Sequence, residues 1–154
     1  MELTTSKMTD HYAIKILEWK YEKPYDFYNN VLSGDAIIEL TSSSYKAILS
    51  KDRVVGFYCM GKDAQVSAGN EVGAYERECE DIGLGMHPEL TGKGFGTPFF
   101  AYILEDISMT SPCLRLTVAD FNKRAIRLYE KFGFVKDRAF HRDEMKFIVM
   151  IKET

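Results

Sequence analysis

The sequence lacks several features that define other classes of protein. Its 154 residues carry a formal net charge of -3, so the excess of basic residues typical of nucleic-acid binders is absent. No apolar stretch approaches the roughly 20 residues of a membrane-spanning helix, and residues 1–5 lack the basic and apolar segments of a signal peptide. We therefore expect a cytoplasmic protein with no nucleic-acid or membrane partner.

Cysteine and histidine are scarce, with three residues of each. Cys59, Cys79 and Cys113 form no Cys-x-x-Cys unit, and neither His87 nor His141 has a second ligand at metal-binding spacing. We predict no metal site. We expect the cysteines to be small core residues in a reducing compartment.

The composition and the order of local signals predict one α/β domain over residues 1–154. Hydrophobic residues make up 45% of the sequence, enough for a full core, and there are no repeats or low-complexity tracts. A long loop is predicted over 61–76. After this loop, strand and helix signals alternate, which predicts that strands joined by a crossover helix are parallel. The predicted helices cover 9–20, 31–41, 95–108 and 122–132, and the predicted strands cover 44–50, 53–60, 79–87, 113–118, 134–140 and 144–151.

The most informative segment is a glycine-rich run over residues 83–96. It predicts that a strand ends near Pro88 and that the chain then turns through glycines, among them Gly92 and Gly94, and enters a helix. Backbone N–H groups and the helix dipole favour an anion at such a turn. Because glycine has no Cβ, a pyrophosphate can approach the backbone closely. Phosphate is therefore the first ligand to consider.

Two common phosphate-binding loops fit this segment poorly. A nucleoside-triphosphate loop needs Ser or Thr after Gly-Lys, but Gly92-Lys93 is followed by Gly94, and residue 87 is not glycine. A dinucleotide loop needs Gly-x-Gly-x-x-Gly early in the chain, whereas the spacing here is Gly-x-Gly-x-Gly and lies late. Asp120, after the next strand, leaves an NAD-dependent oxidoreductase as a remote alternative.

A second segment over 122–134 decides between these interpretations. Together and in this order, the two segments resemble the GNAT superfamily of acyl-CoA-dependent N-acyltransferases. Gly94 and Gly96 match the two glycines of that family's pyrophosphate loop, whereas Thr91 stands where Arg or Gln is usual. Asn122 matches the asparagine that meets the cofactor, and Tyr129 matches the tyrosine near its sulfur.

The resemblance implies a mixed α/β (α+β) fold with a mostly antiparallel central sheet, a parallel pair splayed around the cofactor, and helices on both faces. It also implies acetyl-CoA as the co-substrate. The expected cofactor-binding residues are Leu84, Gly85, Met86, Thr91, Gly92, Lys93, Gly94, Phe95, Gly96, Thr97, Asn122, Arg124, Ala125 and Tyr129.

An amine must lose a proton before it can attack a thioester, so the reaction needs a base. Glu80 lies fourteen positions before Gly94, a spacing at which several GNAT enzymes carry a glutamate base, and it shares a strand face with apolar residues. Glu78 and a water molecule are the rivals, while Asp81 points to the opposite face and ranks last. Tyr129 is the predicted general acid for the leaving thiolate.

The acceptor is the least defined part of the prediction. An acidic block over 71–81 and a group of aromatic residues favour a cationic amine, either a small molecule or a peptide N-terminus. The predicted substrate-binding residues are Trp19, Tyr21, Tyr25, Phe27, Tyr28 and Tyr75. The leading hypothesis is an N-acetyltransferase that works by direct attack, the alternative is a noncatalytic CoA-binding or sensing module, and the chain could form a homodimer.

Overall fold

The computed structural model describes residues 1–107 and 111–154, which form two compact units. The first unit comprises Met1–Cys59 and Leu84–Ile107, and the second comprises Met60–Gly83 with the described residues of 111–154. No helix in these described ranges is long and apolar enough to cross a membrane.

The first unit contains three antiparallel strands in the order β1-β2-β3. They are β1 (Thr4–Lys7), β2 (Lys46–Ser50) and β3 (Arg53–Met60). Between β2 and β3, Lys51 and Asp52 both have positive φ, 50° and 65°, which matches the strand twist of a two-residue hairpin. The predicted hairpin is confirmed. Strand β1 was not predicted, because Thr-Thr-Ser-Lys shows no apolar alternation.

Helices α1 (Asp10–Leu17) and α2 (Gly34–Thr41) each begin after a polar cap. The Thr9 side chain accepts a hydrogen bond from the N–H of Tyr12 at 3.2 Å, and Ser33 accepts one from Ala36 at 3.1 Å. Both helices are shorter than predicted. The core of this part of the unit is built by residues of α1, its C-terminal flank, and β2 and β3: Ala13, Ile16, Leu17, Trp19, Ala47, Leu49 and Val54.

The third helix, α3 (Gly96–Asp106), follows the end of strand β4 (Glu80–Met86) through the glycine-rich segment. Its buried residues are Phe99, Phe100 and Ile103, at the spacing of one helix face. The helix predicted over 95–108 is therefore confirmed to Asp106, and residue 108 lies outside the described residues.

The second unit contains the start of β4 and strands β5 (Cys113–Ala119), β6 (Val135–Arg142) and β7 (Met145–Glu153), with helix α4 (Lys123–Lys131). Their order is β4-β5-β7-β6. Residues 80–82 of β4 pair in parallel with β5, whereas β7 pairs antiparallel with both β5 and β6. The predicted mixed α/β class, mostly antiparallel with one parallel pair, is confirmed.

The segment predicted as a long loop carries regular structure of its own. It contains two 3-10 helices, Gly61–Ala64 and Ser67–Val72. The Arg138 guanidinium on β6 donates to the carbonyls of Val72 and Gly73, at 2.9 Å and 3.1 Å. These bonds attach the end of the second 3-10 helix to the edge strand of the same unit.

The expectation that all three cysteines are reduced is wrong for two of them. Cys79 and Cys113 form a disulfide with their Cα atoms 4.8 Å apart. One residue immediately precedes β4 and the other begins β5, so the parallel pairing of these strands brings them side by side. A separation of 34 residues gives no local sign of this pairing. Cys59 is buried, as expected.

Candidate active site

The glycine-rich segment begins with a turn that is closed by its own side chains. His87 caps a 3-10 helix over Pro88–Leu90, with its Nδ1 accepting the N–H of Glu89 at 3.1 Å. The Thr91 hydroxyl donates to the Pro88 carbonyl at 2.8 Å. The Thr91 side chain is therefore used within the turn, at the position where the resemblance leads us to expect a phosphate-binding Arg or Gln.

Two glycines then carry the chain through the left-handed region, with φ of 70° at Gly92 and 86° at Gly94. Residues 92–94 are exposed, and a Cβ built on Gly94 would have no atom within 4 Å. The open side of this backbone leads into α3. The N–H groups of the first helical turn have no partner within a helix, and the dipole there favours negative charge. The segment can therefore receive an anionic group such as a phosphate.

The end of β4 presents backbone polar groups in alternating directions. The N–H of His87 donates to the Val55 carbonyl on β3 at 2.8 Å, so Leu84 and Met86 direct their N–H and C=O groups to the other edge. The registered pairs with β5 stop at Ile82. Leu84 and Met86 were predicted to bind the cofactor through these main-chain groups, and their direction is compatible with that role.

Tyr21, predicted as a substrate-binding residue, is bonded to this same edge. Its hydroxyl donates to the Met86 carbonyl at 2.7 Å. Burial, followed by the neighbouring Tyr28, raises the pKa of Tyr21 well above its usual range, so the hydroxyl keeps its proton. Tyr21 therefore occupies one of the acceptors at the end of β4 and holds its backbone in place.

Gly85 has a packing reason to be glycine. A Cβ at this position would lie 2.5 Å from the ring of Phe57, far inside van der Waals contact. Because Gly85 has no side chain, the Phe57 ring can pack against this strand. This is a structural role for Gly85, and its cofactor role stays a prediction.

The structure separates the predicted aromatic wall of the first unit into two groups. The ring of Tyr28 lies edge-on to those of Tyr21 and Phe27, with centroids 6.3 Å and 5.2 Å apart. Trp19 instead stacks on Phe57 at 6.1 Å. Tyr25 begins the 3-10 helix Tyr25–Tyr28 and is half-buried.

Trp19 also lines a groove of about 420 Å³ beside α1. Its ring lies 5.2 Å from that of His87, and Arg53 forms an ion pair with Glu89 at 3.0 Å. Burial, then the Arg53 charge, lowers the pKa of His87 below its usual value, so the imidazole is neutral near pH 7. The groove carries charges of both signs. Its lining residues are His11, Tyr12, Lys15, Glu18, Trp19, Asp52, Arg53, Val54 and His87.

Helix α4 of the second unit holds the other predicted cofactor residues. Asn122 is its N-cap, with its side-chain oxygen accepting the N–H of Ala125 at 3.2 Å. Tyr129 is only 7% exposed, and its ring centroid lies 6.2 Å from that of Phe134. Arg124 is half-buried on the first turn. These positions leave the cofactor and acid roles of α4 as predictions.

The three candidate bases at the start of β4 differ sharply in environment. Glu78 is exposed before the strand, Glu80 is half-buried at its first position, and Asp81 is 3% exposed. The Asp81 carboxylate accepts two bonds from Arg115, both at 2.7 Å, and one from Gln65 at 2.8 Å. The Asp81 carboxylate therefore serves an ion pair with Arg115. The half-buried position of Glu80 agrees with the prediction that its side chain is partly desolvated.

Arg115 is the residue of this region that sequence reasoning missed. It is 1% exposed on β5, and besides Asp81 it donates to the Arg77 carbonyl at 2.8 Å. Its guanidinium lies 5.1 Å from the ring centroid of Tyr75. The Tyr75 hydroxyl in turn bonds to the Val66 N–H and to the Thr117 hydroxyl, so this predicted substrate residue also links the 61–79 segment to β5.

Solved structures with this fold include several acetyltransferases. An uncharacterized protein (bh2621) from Bacillus halodurans superimposes with a TM-score of 0.78 at 16% identity, over 98% of this chain and 83% of that one. The aminoglycoside acetyltransferase AAC(6')-Ib in complex with coenzyme A gives 0.69 at 17% identity, over 99% and 95%. The putative acetyltransferase yncA from Salmonella typhimurium, with its cofactor acetyl-CoA, gives 0.61 at 14% identity, over 98% and 93%.

These likenesses define the chain as a protein of the acetyltransferase fold. The sequence itself assigns the family, because the model of the acetyltransferase (GNAT) family matches residues 9–134, which is most of the chain. The chain belongs to the GNAT family of acetyltransferases. No curated protein gives a significant sequence match to it.

Proposed function

We propose that this protein is an N-acetyltransferase, with residues 1–154 as one catalytic domain, that transfers the acetyl group of acetyl-CoA to a primary amine of a small molecule or a peptide. The observation that carries the proposal is the exposed turn at Gly92 and Gly94, which lies between β4 and an 11-residue helix. In a chain of the acetyltransferase family, such a turn suits the pyrophosphate of CoA.

The residues proposed to hold acetyl-CoA contribute mainly backbone groups. The turn over 91–97 offers N–H donors and the charge of Lys93, while Leu84 offers its N–H and C=O groups and Met86 its N–H along the edge of β4. In the second unit, Asn122 and Arg124 are assigned to the cofactor by the family resemblance. Backbone donors of this kind bind without losing side-chain freedom, which favours a fixed geometry.

The proposed reaction is direct attack of the amine on the thioester carbonyl. A carbon–nitrogen bond forms, the carbon–sulfur bond breaks, and CoA leaves as a thiolate. Glu80 accepts the proton that the amine must lose, and Tyr129 supplies a proton to the leaving sulfur. The half-buried position of Glu80 at the first residue of β4 supports this role for it rather than for Glu78, which is exposed.

Acetyl transfer to a panel of amines tests the proposal. Because one structural neighbour is an aminoglycoside acetyltransferase, the panel contains aminoglycosides beside amino acids and peptides with free N-termini. Mass spectrometry detects the acetylated product, and a thiol reagent detects released CoA. Glu80→Gln is expected to lower kcat by roughly 100-fold or more near pH 7, with partial recovery at high pH where more amine is already neutral.

Glu78→Gln is the matched control, since it removes a carboxylate only two residues away that is exposed to solvent. It is expected to retain the wild-type rate. A loss in Glu78→Gln with none in Glu80→Gln would transfer the base role to Glu78. Binding of acetyl-CoA without transfer to any amine would instead favour a noncatalytic CoA-binding module.

A further inference from the structure

The disulfide, which the acetyl-transfer chemistry does not use, lies at the start of a row of cross-strand pairs. Cys79 and Cys113 stand one step before the registered pairs Glu80–Leu114 and Asp81–Arg115. Because side chains alternate along a strand, the disulfide and the buried ion pair share one face of the β4–β5 pair, and Glu80 points to the other. Glu80 therefore lies between two residues that are linked to β5: Cys79 through the disulfide and Asp81 through its ion pair with Arg115.

The two residues of this disulfide are unequally buried. Cys113 is fully buried, with 0% exposure, whereas Cys79 is half-buried. We therefore expect a reductant to attack at Cys79. The Cys113 sulfur lies 3.3 Å from the Glu78 carbonyl oxygen, which gives the thiol formed by reduction a hydrogen-bond acceptor in place.

The links next to the disulfide do not depend on it. The bonds from Arg115 to Asp81 and to the Arg77 carbonyl, and from Gln65 to Asp81, involve no sulfur atom, so we expect them to persist when the sulfurs separate. The 61–79 segment thus keeps its polar attachments in the same unit. Reduction is expected to loosen the first residues of β4 without unfolding the protein.

We propose that Cys79–Cys113 is a reversible thiol–disulfide site, reduced by a small or protein dithiol, and that its oxidised form positions Glu80. One thiolate of the dithiol attacks the Cys79 sulfur, the S–S bond breaks, and Cys113 leaves as a thiolate. The second thiol of the reductant then closes its own disulfide and releases Cys79. Two electrons pass to the protein, and each of its sulfurs takes up a proton. Only the role of Glu80 rests on the proposed function.

Thiol labelling tests reversibility without any activity measurement. Dithiothreitol reduces the folded protein and oxidised dithiothreitol reverses the reaction; after an acid quench, alkylation in denaturant followed by peptide mass spectrometry reads the state of each cysteine, including the buried Cys113. We expect Cys79 and Cys113 to be labelled only after reduction and to be protected again after reoxidation. Cys59→Ala, which removes the third cysteine, is expected to behave identically. A disulfide that never forms, or that opens only in denaturant, would overturn the proposal.

Stability and backbone exchange measure the effect of reduction on β4. A link across 34 residues is expected to raise the unfolding temperature by roughly 5–12 °C, and reduction should remove that gain. Hydrogen exchange of the peptide covering 79–82 should accelerate on reduction, while peptides of α1 stay unchanged. Equal exchange in the two states would contradict the positioning role.

Kinetics connect the disulfide to Glu80. The reduced enzyme, and the double variant Cys79→Ala/Cys113→Ala in either condition, should show a kcat lower by roughly tenfold or more, with KM for acetyl-CoA nearly unchanged. In Glu80→Gln the same reduction should have little further effect on kcat. Equal kcat in both redox states would overturn the positioning role. If no amine is acetylated at all, the proposed function fails, while labelling and exchange still decide the redox site.

Discussion

Replacing Asp81 by asparagine is expected to be the most damaging conservative change in the second unit. The side chain is 3% exposed and accepts three hydrogen bonds, two of them from the guanidinium of Arg115, which is 1% exposed. Asparagine keeps the shape but removes the charge and turns one acceptor into a donor. Breaking one side of a buried pair costs about 3–5 kcal/mol, because the remaining ion stays buried without its partner.

Urea unfolding followed by circular dichroism measures this loss. Arg77→Ala is the matched control, because it breaks an ion pair in the same unit whose Arg77 and Glu153 side chains are 50% and 66% exposed. An exposed pair of this kind contributes little to stability, because solvent screens its charges. We expect the midpoint to fall far more in Asp81→Asn than in Arg77→Ala. Equal losses, or a loss below about 1 kcal/mol in Asp81→Asn, would refute the importance of the buried network.

Three further predictions concern single side chains. The folded pKa of His87 lies below the ordinary 6.5, so the unfolded chain binds the extra proton. Stability therefore falls as pH drops from 6.5 toward the folded value, and His87→Asn should flatten this slope in urea titrations; an unchanged slope would contradict the assignment. Tyr21→Phe should cost about 1 kcal/mol in urea unfolding, because a partly buried carbonyl loses its donor, and an unchanged midpoint would contradict that role. Tyr129→Phe should lower kcat by roughly 100-fold with little change in acetyl-CoA affinity, and a wild-type rate would leave this buried tyrosine a purely structural residue.

The features that sequence reasoning predicted are those determined by a few consecutive residues. Helices were predicted to begin at residues 9 and 122, and the structure shows Thr9 and Asn122 capping α1 and α4 within one turn. The glycines at 92 and 94 were expected in a turn, and both adopt the left-handed backbone that glycine tolerates best. Local sterics and hydrogen bonds decide these features, so a window of a few residues is enough to find them.

The features that it missed depend on which strands become neighbours. The pairs Cys79–Cys113 and Asp81–Arg115 each join residues 34 positions apart, and neither shows in any local pattern. The bond from Tyr21 to the Met86 carbonyl spans 65 residues. Arginine on a strand is usually exposed, so nothing near residue 115 signals its burial. Only the parallel pairing of β4 with β5 places an acid beside it.

Calorimetric titration of acetyl-CoA into the Gly94→Ala variant tests the central claim most directly. The added Cβ meets no protein atom within 4 Å, so it obstructs only a ligand that approaches the turn. Gly61→Ala is the matched control, because Gly61 also has positive φ, 70°, and open space around it, and both changes should cost about 1–2 kcal/mol of stability. We predict that Kd rises about tenfold or more in Gly94→Ala, as expected from the loss of one charge-assisted hydrogen bond, and stays at the wild-type value in Gly61→Ala. Wild-type affinity in Gly94→Ala would contradict binding of acetyl-CoA at this turn.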